Sequence, residues 1–136
     1  MSEDAESSTK WRVLVVGSHS PAIGFRVRQL PHPGETVLGE MLAESTDGGK
    51  GSNQAVALAR LGAPVTFIGC VGRDVLGDEC EQMLAAEGVD IKCLERTNTA
   101  TGRGVNIIDS AGIPVMIVAA GANNDLAPQG VVSYID

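Results

Sequence analysis

Lys50 stands between Gly49 and Gly51 in the stretch "DGGKGSNQAVALARLG" (Asp47–Gly62), and a small-residue helix pattern starts directly after it. Glycine lets a backbone approach a ligand closely or take positive φ. A helix N-terminus offers free N–H groups and partial positive charge. Lysine adds a compact charge with three donors, and the amide of Asn53 brings both a donor and an acceptor. Together these residues are suited to hold an oxygen-rich ligand. The same residues are also those of a flexible turn feeding a helix, and spacing alone leaves both readings open.

Known phosphate loops do not fit. A Walker A loop requires Ser or Thr after the lysine, where this chain has Gly51. A dinucleotide fingerprint requires a third glycine and a position directly after the first strand. Composition removes other classes. The 136 residues carry a net charge of -7, from 10 basic and 17 acidic side chains, with no basic run. Binding to nucleic acid or to a membrane surface is not expected on that balance. The three cysteines, Cys70, Cys80 and Cys93, form no CxxC pair and match no zinc spacing, so no metal site is expected. Cys70 lies in an apolar strand pattern and Cys80 in a helix pattern. Both read as buried free thiols, which points to a reducing, cytoplasmic setting. No secretory h-region follows Met1, and no apolar run approaches membrane-spanning length.

The elements that must position Lys50 follow from periodicity. Residues 1–10, "MSEDAESSTK", read as a disordered acidic tail. "WRVLVVGS" (Trp11–Ser18) and "VTFIGCVG" (Val65–Gly72) are continuous apolar runs, the pattern of parallel strands buried on both faces. "VDIKCLE" (Val89–Glu95) reads as a third strand. A helix is expected from about Ser52 to Leu61, closed by Gly62. A second lies in "DVLGDECEQMLAAEG", with Leu76, Cys80, Met83 and Leu84 on one face and Gly88 at its end. Strand and helix alternate, as in an α/β sheet. The pattern then changes: "GRGVNIIDSAGIPVMIVAAG" reads as an antiparallel hairpin turning at Asp109–Gly112, and Pro128 opens a further helix. The small sheet has a raw edge, so the chain reads as the first part of a larger α/β protein.

Taken together, "VVGS" (Val15–Ser18), "PGETV" (Pro33–Val37), "GGKGSNQAVALARLG" (Gly48–Gly62), "FIGCVGRDVLGD" (Phe67–Asp78), "ATG" (Ala100–Gly102) and "AGAN" (Ala120–Asn123) resemble the ribokinase, or PfkB, family of carbohydrate kinases. The resemblance is collinear from about Arg12 onward. It implies an α/β fold with a doubly wound, mostly parallel sheet, of which 11–136 is the N-terminal part. A small β-sheet lid is implied over the sugar, with strands in about 34–46 and 102–118. It implies transfer of the ATP γ-phosphoryl to a sugar hydroxyl, and homo-oligomers formed through the lid strands or the exposed sheet edge. It implies that Gly49, Lys50 and Asn53 bind sugar hydroxyls; Ser20, Gly104 and Asn106 are further candidates for the same site. Strand alternation places Gly102, Gly104 and Asn106 on the ligand face, with Arg103, Val105 and Ile107 opposite.

The chain departs from the family in two places. The catalytic aspartate of the family lies in a "GAGD" motif that this sequence lacks. No catalytic residue is therefore assigned. ATP and Mg2+ are expected for the full-length parent and not for this chain, which is expected to be inactive alone. Asp74, Asp78 and Asp125 read as turn and helix-start residues. After Gly17–Ser18, the family's asparagine and aspartate are replaced by Ser20 and Ala22. Alanine accepts no hydrogen bond, and an unpartnered hydroxyl costs about 1–3 kcal/mol, so ribose itself is not assigned as the sugar. Asn106 is the candidate to compensate from above. His19 reads as a structural or solvated turn residue. The alternatives to a kinase part are a non-catalytic sugar-binding module and a lid-mediated dimerisation module.

Overall fold

The computed structural model describes residues 11–135. The strands are β1 (Val13–Val16), β2 (Ala22–Val27), β3 (Gly39–Ser45), β4 (Val65–Gly72), β5 (Leu94–Thr97), β6 (Arg103–Ile108) and β7 (Pro114–Ala119). The helices are α1 (Lys50–Arg60), α2 (Val75–Ala86) and the five-residue α3 (Pro128–Val132), preceded by a 3-10 turn at Gly121–Asp125. They build an α/β fold with two sheets. In the first, the order is β1-β4-β5 and every pair is parallel. In the second, the order is β3-β2-β6-β7, with β2 and β6 parallel and the outer pairs antiparallel.

All eight residues of β4 are buried. The strand sits between two neighbours and under helices, which is why its sequence shows no polar alternation. Val15, Ala55, Val65, Phe67, Val71, Cys80, Leu84 and Val89 make one core between the first sheet and α1 and α2. Phe67 and Leu84 are fully buried. Truncating either to alanine would cost about 2–5 kcal/mol. Arg96 of β5 pairs with Asp78 and Glu81 of α2, at 2.5 and 3.1 Å, and ties that helix to the sheet edge. All three cysteines are free and buried, as the strand and helix patterns of Cys70 and Cys80 require. Burial and nearby carboxylates push the Cys70 thiol up to about 11 and the Cys80 thiol up to about 12.

Four boundaries differ from the sequence reading. α1 starts at Lys50, two residues early, with Gly49 as its N-cap. The third parallel strand starts at Leu94 instead of Val89. Asp90 accepts from the Lys92 amide at 3.1 Å and the Thr66 hydroxyl at 3.1 Å, so the chain turns there after a single bridge to Thr66. Of the segment after Pro33, only Gly39–Ser45 is strand. A turn closed by Glu35 N to His32 O at 2.9 Å fills its beginning. β2 is a strand for which the sequence analysis assigns no element, although Ile23, Phe25 and Val27 alternate. The tail expected at 1–10 lies outside the described residues.

Candidate functional site

β1 delivers the chain into the loop Gly17–Ser20, and the Gly48–Gly51 loop lies directly on it. Ser20 N donates to Gly48 O at 3.0 Å, and Ser52 N donates to Ser18 O at 3.2 Å. Gly49 has φ +92°, and a Cβ there would lie 2.5 Å from Ser18 O. A Cβ on Gly51 would lie 2.7 Å from the Gly17 Cα. These glycines are needed for backbone to pass over backbone, before any ligand is considered. Their packing leaves Lys50 exposed at the first position of α1, with no ion pair among the described residues.

A cleft of about 430 Å³ opens above this junction. Ser20, Asp47, Gly49, Lys50 and Asn53 form its floor and polar side, and Ala22, Gly104, Asn106, Met116 and Val118 form the wall under the second sheet. The structure thus brings Gly49, Lys50, Asn53, Ser20, Gly104 and Asn106 to one concave surface, from segments up to 86 residues apart in a chain of 136. Register explains the wall. Gly104 pairs with Ala22 on one side and Val118 on the other, and Asn106 pairs with Gly24 and Met116. The alternate residue Arg103 pairs with Glu44, away from the cleft. Asp47 accepts a hydrogen bond from the Ser45 hydroxyl.

Gly102 is not among the residues that line the cleft. It precedes β6, and a Cβ on it would point at Asn123 Nδ2 and Ser20 Oγ. Asp47, Met116 and Val118 also line the cleft and are not assigned to the site by the sequence. Met116 and Val118 carried a usable signal, since they occupy alternate positions of the hairpin arm opposite Asn106 and Gly104. A second cleft of about 420 Å³ shares Asp47 and Asn53 but runs along α1 to Arg60 and Glu87. There Arg60 is already engaged by Glu87 in two hydrogen bonds of 2.7 and 2.5 Å.

His19 lies beneath the glycine loop and is 1% exposed. Its Nδ1 is 3.3 Å from Ser52 Oγ, whose own proton goes to Gly48 O at 2.6 Å. Nδ1 therefore carries the proton and donates to Ser52. Nε2 is buried with no partner among the described residues. Burial lowers the His19 pKa to about 4, against the opposing pull of Asp47. The ring is a neutral structural support for the loop. Asp74 caps α2 by accepting from Gly77 N at 2.9 Å. Among the described residues, no group of His, Cys, Asp or Glu is arranged to hold a metal ion. No helix of the described chain is long and apolar enough to cross a membrane.

Residues 11–135 match the family model described as pfkB family carbohydrate kinase. The chain is 38% identical to the ribokinase of Bacillus subtilis over 124 residues, which is 91% of this chain and 42% of that protein. It is 37% identical to the ribokinase of Schizosaccharomyces pombe over 120 residues, 84% of this chain and 38% of that protein. The structure of Arabidopsis thaliana ribokinase complexed with ribose and ATP superimposes with a TM-score of 0.67 at 35% identity, covering 82% of this chain and 36% of that one. The chain thus spans about two fifths of the length of the curated relatives it matches.

Proposed function

The chain belongs to the pfkB family of carbohydrate kinases, and from this we propose that its cleft is the sugar-holding part of an ATP-dependent, ribokinase-like kinase. The observation that carries the reading is the convergence of Lys50, Asn53, Ser20 and Asn106 on one cleft from the glycine loop, the β1–β2 loop and the second sheet. Lys50 supplies donors only, Asp47 accepts only, and the two asparagines do both. That set matches a polyol, whose hydroxyls both donate and accept. The apolar wall of Ala22, Met116 and Val118 suits the C–H side of a sugar ring. Phosphoryl transfer depends on positioning and electrostatics. These residues supply the positioning by fixing the acceptor sugar.

The described residues do not fit ATP or Mg2+. They hold no carboxylate cluster for a divalent ion, and the glycine loop presses on the β1–β2 loop instead of wrapping a phosphate. ATP and Mg2+ are accordingly assigned to the whole kinase. The 136-residue chain, which has no "GAGD" motif, is expected to form no ADP in the presence of ATP, Mg2+ and any sugar. The binding reading is tested by titrating the chain with a panel of pentoses and hexoses while following backbone amide resonances. Saturable shifts at Ser20, Lys50, Asn53 and Asn106 are expected. Shifts confined to other surfaces, or none with any sugar, would overturn it.

A second role is favoured by one observation. All six residues of β7 are exposed, Met116, Ile117 and Val118 by 60% or more, and β7 is the edge of its sheet. An apolar open edge recruits another strand. We propose that the second sheet also joins two copies of the protein.

A further inference from the structure

Asn123 lies in the 3-10 turn after β7, outside the cleft, yet its side chain reaches the loop that forms part of the cleft floor. Its Oδ1 accepts from His19 N at 2.9 Å. Its Nδ2 has two protons for three acceptors: they go to His19 O at 2.9 Å and Ala120 O at 2.8 Å, and Ser20 Oγ, at 3.2 Å, shares one of them as the longer arm of a bifurcated bond. The partners fix the orientation of the amide, because a backbone N–H must meet its oxygen and carbonyls must meet its nitrogen. The two contacts to His19 close a ring between residues 104 apart in sequence. Gly102 is the gap through which this happens: any Cβ there would overlap Asn123 Nδ2 and sit 3.0 Å from Ser20 Oγ.

The polarity of these bonds has a chemical result. Nδ2 carries protons only, so Ser20 Oγ is the acceptor in that pair. The Ser20 hydroxyl proton is not used there, and Ser20 lines the cleft. We infer that Asn123 is a positioning residue that holds Ser20 as a hydrogen-bond donor toward an acceptor oxygen of the bound sugar. This rests on the reading of the cleft as a sugar site. Ser20 then stands beside Lys50 as a second donor, while Asp47 accepts. A ligand hydroxyl near Ser20 must offer a lone pair there and send its own proton elsewhere.

Asn123→Asp separates positioning from scaffolding. The carboxylate still accepts from His19 N, but it also accepts from Ser20 and draws the hydroxyl proton out of the cleft. Ribose is the probe, titrated into the 136-residue chain and into Ser20→Ala, Asn123→Asp and the double variant. Each single variant is expected to bind about tenfold more weakly, and the double variant no more weakly than either. Wild-type affinity in Asn123→Asp, or losses that multiply in the double variant, would overturn the inference. If Asn123→Asp does not fold, Ser20→Ala decides, because it keeps every backbone contact of Asn123; unchanged ribose affinity there overturns the donor role. A ligand-free measurement keeps the two readings apart. Three-bond couplings of Ser20 should report one χ1 rotamer in the wild type and averaging in Asn123→Ala. A single rotamer in both overturns the role of Asn123, whereas a wild-type chain that responds to no sugar overturns only the sugar site.

Discussion

Asp74 and Thr101, 27 residues apart, are joined by two hydrogen bonds: Thr101 N to Oδ2 at 2.8 Å and Thr101 Oγ1 to Oδ1 at 2.6 Å. Thr101 Oγ1 in turn accepts from Gly72 N at 2.8 Å. One carboxylate thus gathers the end of β4, the start of α2 and the approach to β6. Burial raises the Asp74 pKa, but the bonds from Thr101 and Gly77, with Arg96 nearby, outweigh it and hold the carboxyl below its usual range.

Asp74→Ala is expected to destabilise the chain by about 2–3 kcal/mol, the sum of a lost helix cap and a buried hydroxyl left without its charged partner. Urea unfolding measures it. Thr101→Val, which keeps the backbone bond to Asp74, should cost less. Equal losses would mean that the hydroxyl, and not the cap, carries the junction.

His19 predicts an acid limit. Its folded pKa of about 4 lies below the ordinary 6.5, so folding favours the neutral ring. That stability is complete above about pH 6.5 and is lost as pH falls from there toward 4, by up to about 3 kcal/mol. His19→Met fills a similar space without titrating. The melting temperature of the wild type should fall between pH 7 and pH 5, and that of His19→Met should stay nearly level over the same interval. Parallel curves would show that the ring is not the group responsible.

Asn106 faces the cleft two residues along β6 from Gly104, the partner of Ala22. If it supplies the hydrogen bond that Ala22 cannot, Asn106→Ala should weaken sugar binding by about 1 kcal/mol, the value of one neutral hydrogen bond. Ala22→Asp should recover part of that loss in the Asn106→Ala background. Isothermal titration of the four variants is the measurement, and no change in Asn106→Ala would remove Asn106 from the site.

Oligomerisation can be tested apart from binding. Ile117 pairs with Val105, on the alternate positions from Gly104 and Asn106, and does not line the cleft. Ile117→Lys should shift the chain from dimer toward monomer in light scattering while leaving sugar titrations unchanged. A wild-type chain that is monomeric at high concentration would end the proposal.

The first sheet was legible because its central strand, Val65–Gly72, is buried on both faces, and Val13–Val16 is apolar throughout, although Val16 is exposed where the sequence led one to expect burial on both faces. β2 was not legible, because Ala22–Val27 contains Gly24 and Arg26 and follows a loop tied down by long-range bonds. The start of β5 was displaced by Asp90, whose side chain builds a turn inside an otherwise strand-like run. For the cleft, local sequence identified Gly49, Lys50 and Asn53, while Gly104 and Asn106 followed from strand alternation. The role of Asn123 depends on one contact across 103 residues between Asn123 and Ser20, and no period or spacing encodes such a contact.

The pairing of β2 with β6 also dictates an order of events during synthesis. β2 and β3 leave the ribosome early, but their sheet is completed only by β6 and β7, some eighty residues later. The first sheet can assemble as soon as Thr97 has emerged. Until then β2 and β3 are a lone hairpin, marginal in water, with the parallel edge of β2 unpaired. The nascent chain therefore passes through a stage with a formed α/β core and an open cleft wall. A ribosome stalled once Thr97 has cleared the exit tunnel, with β6 and β7 still inside it, would present that stage to limited proteolysis, with cuts between Ala22 and Ser45 and protection across β4.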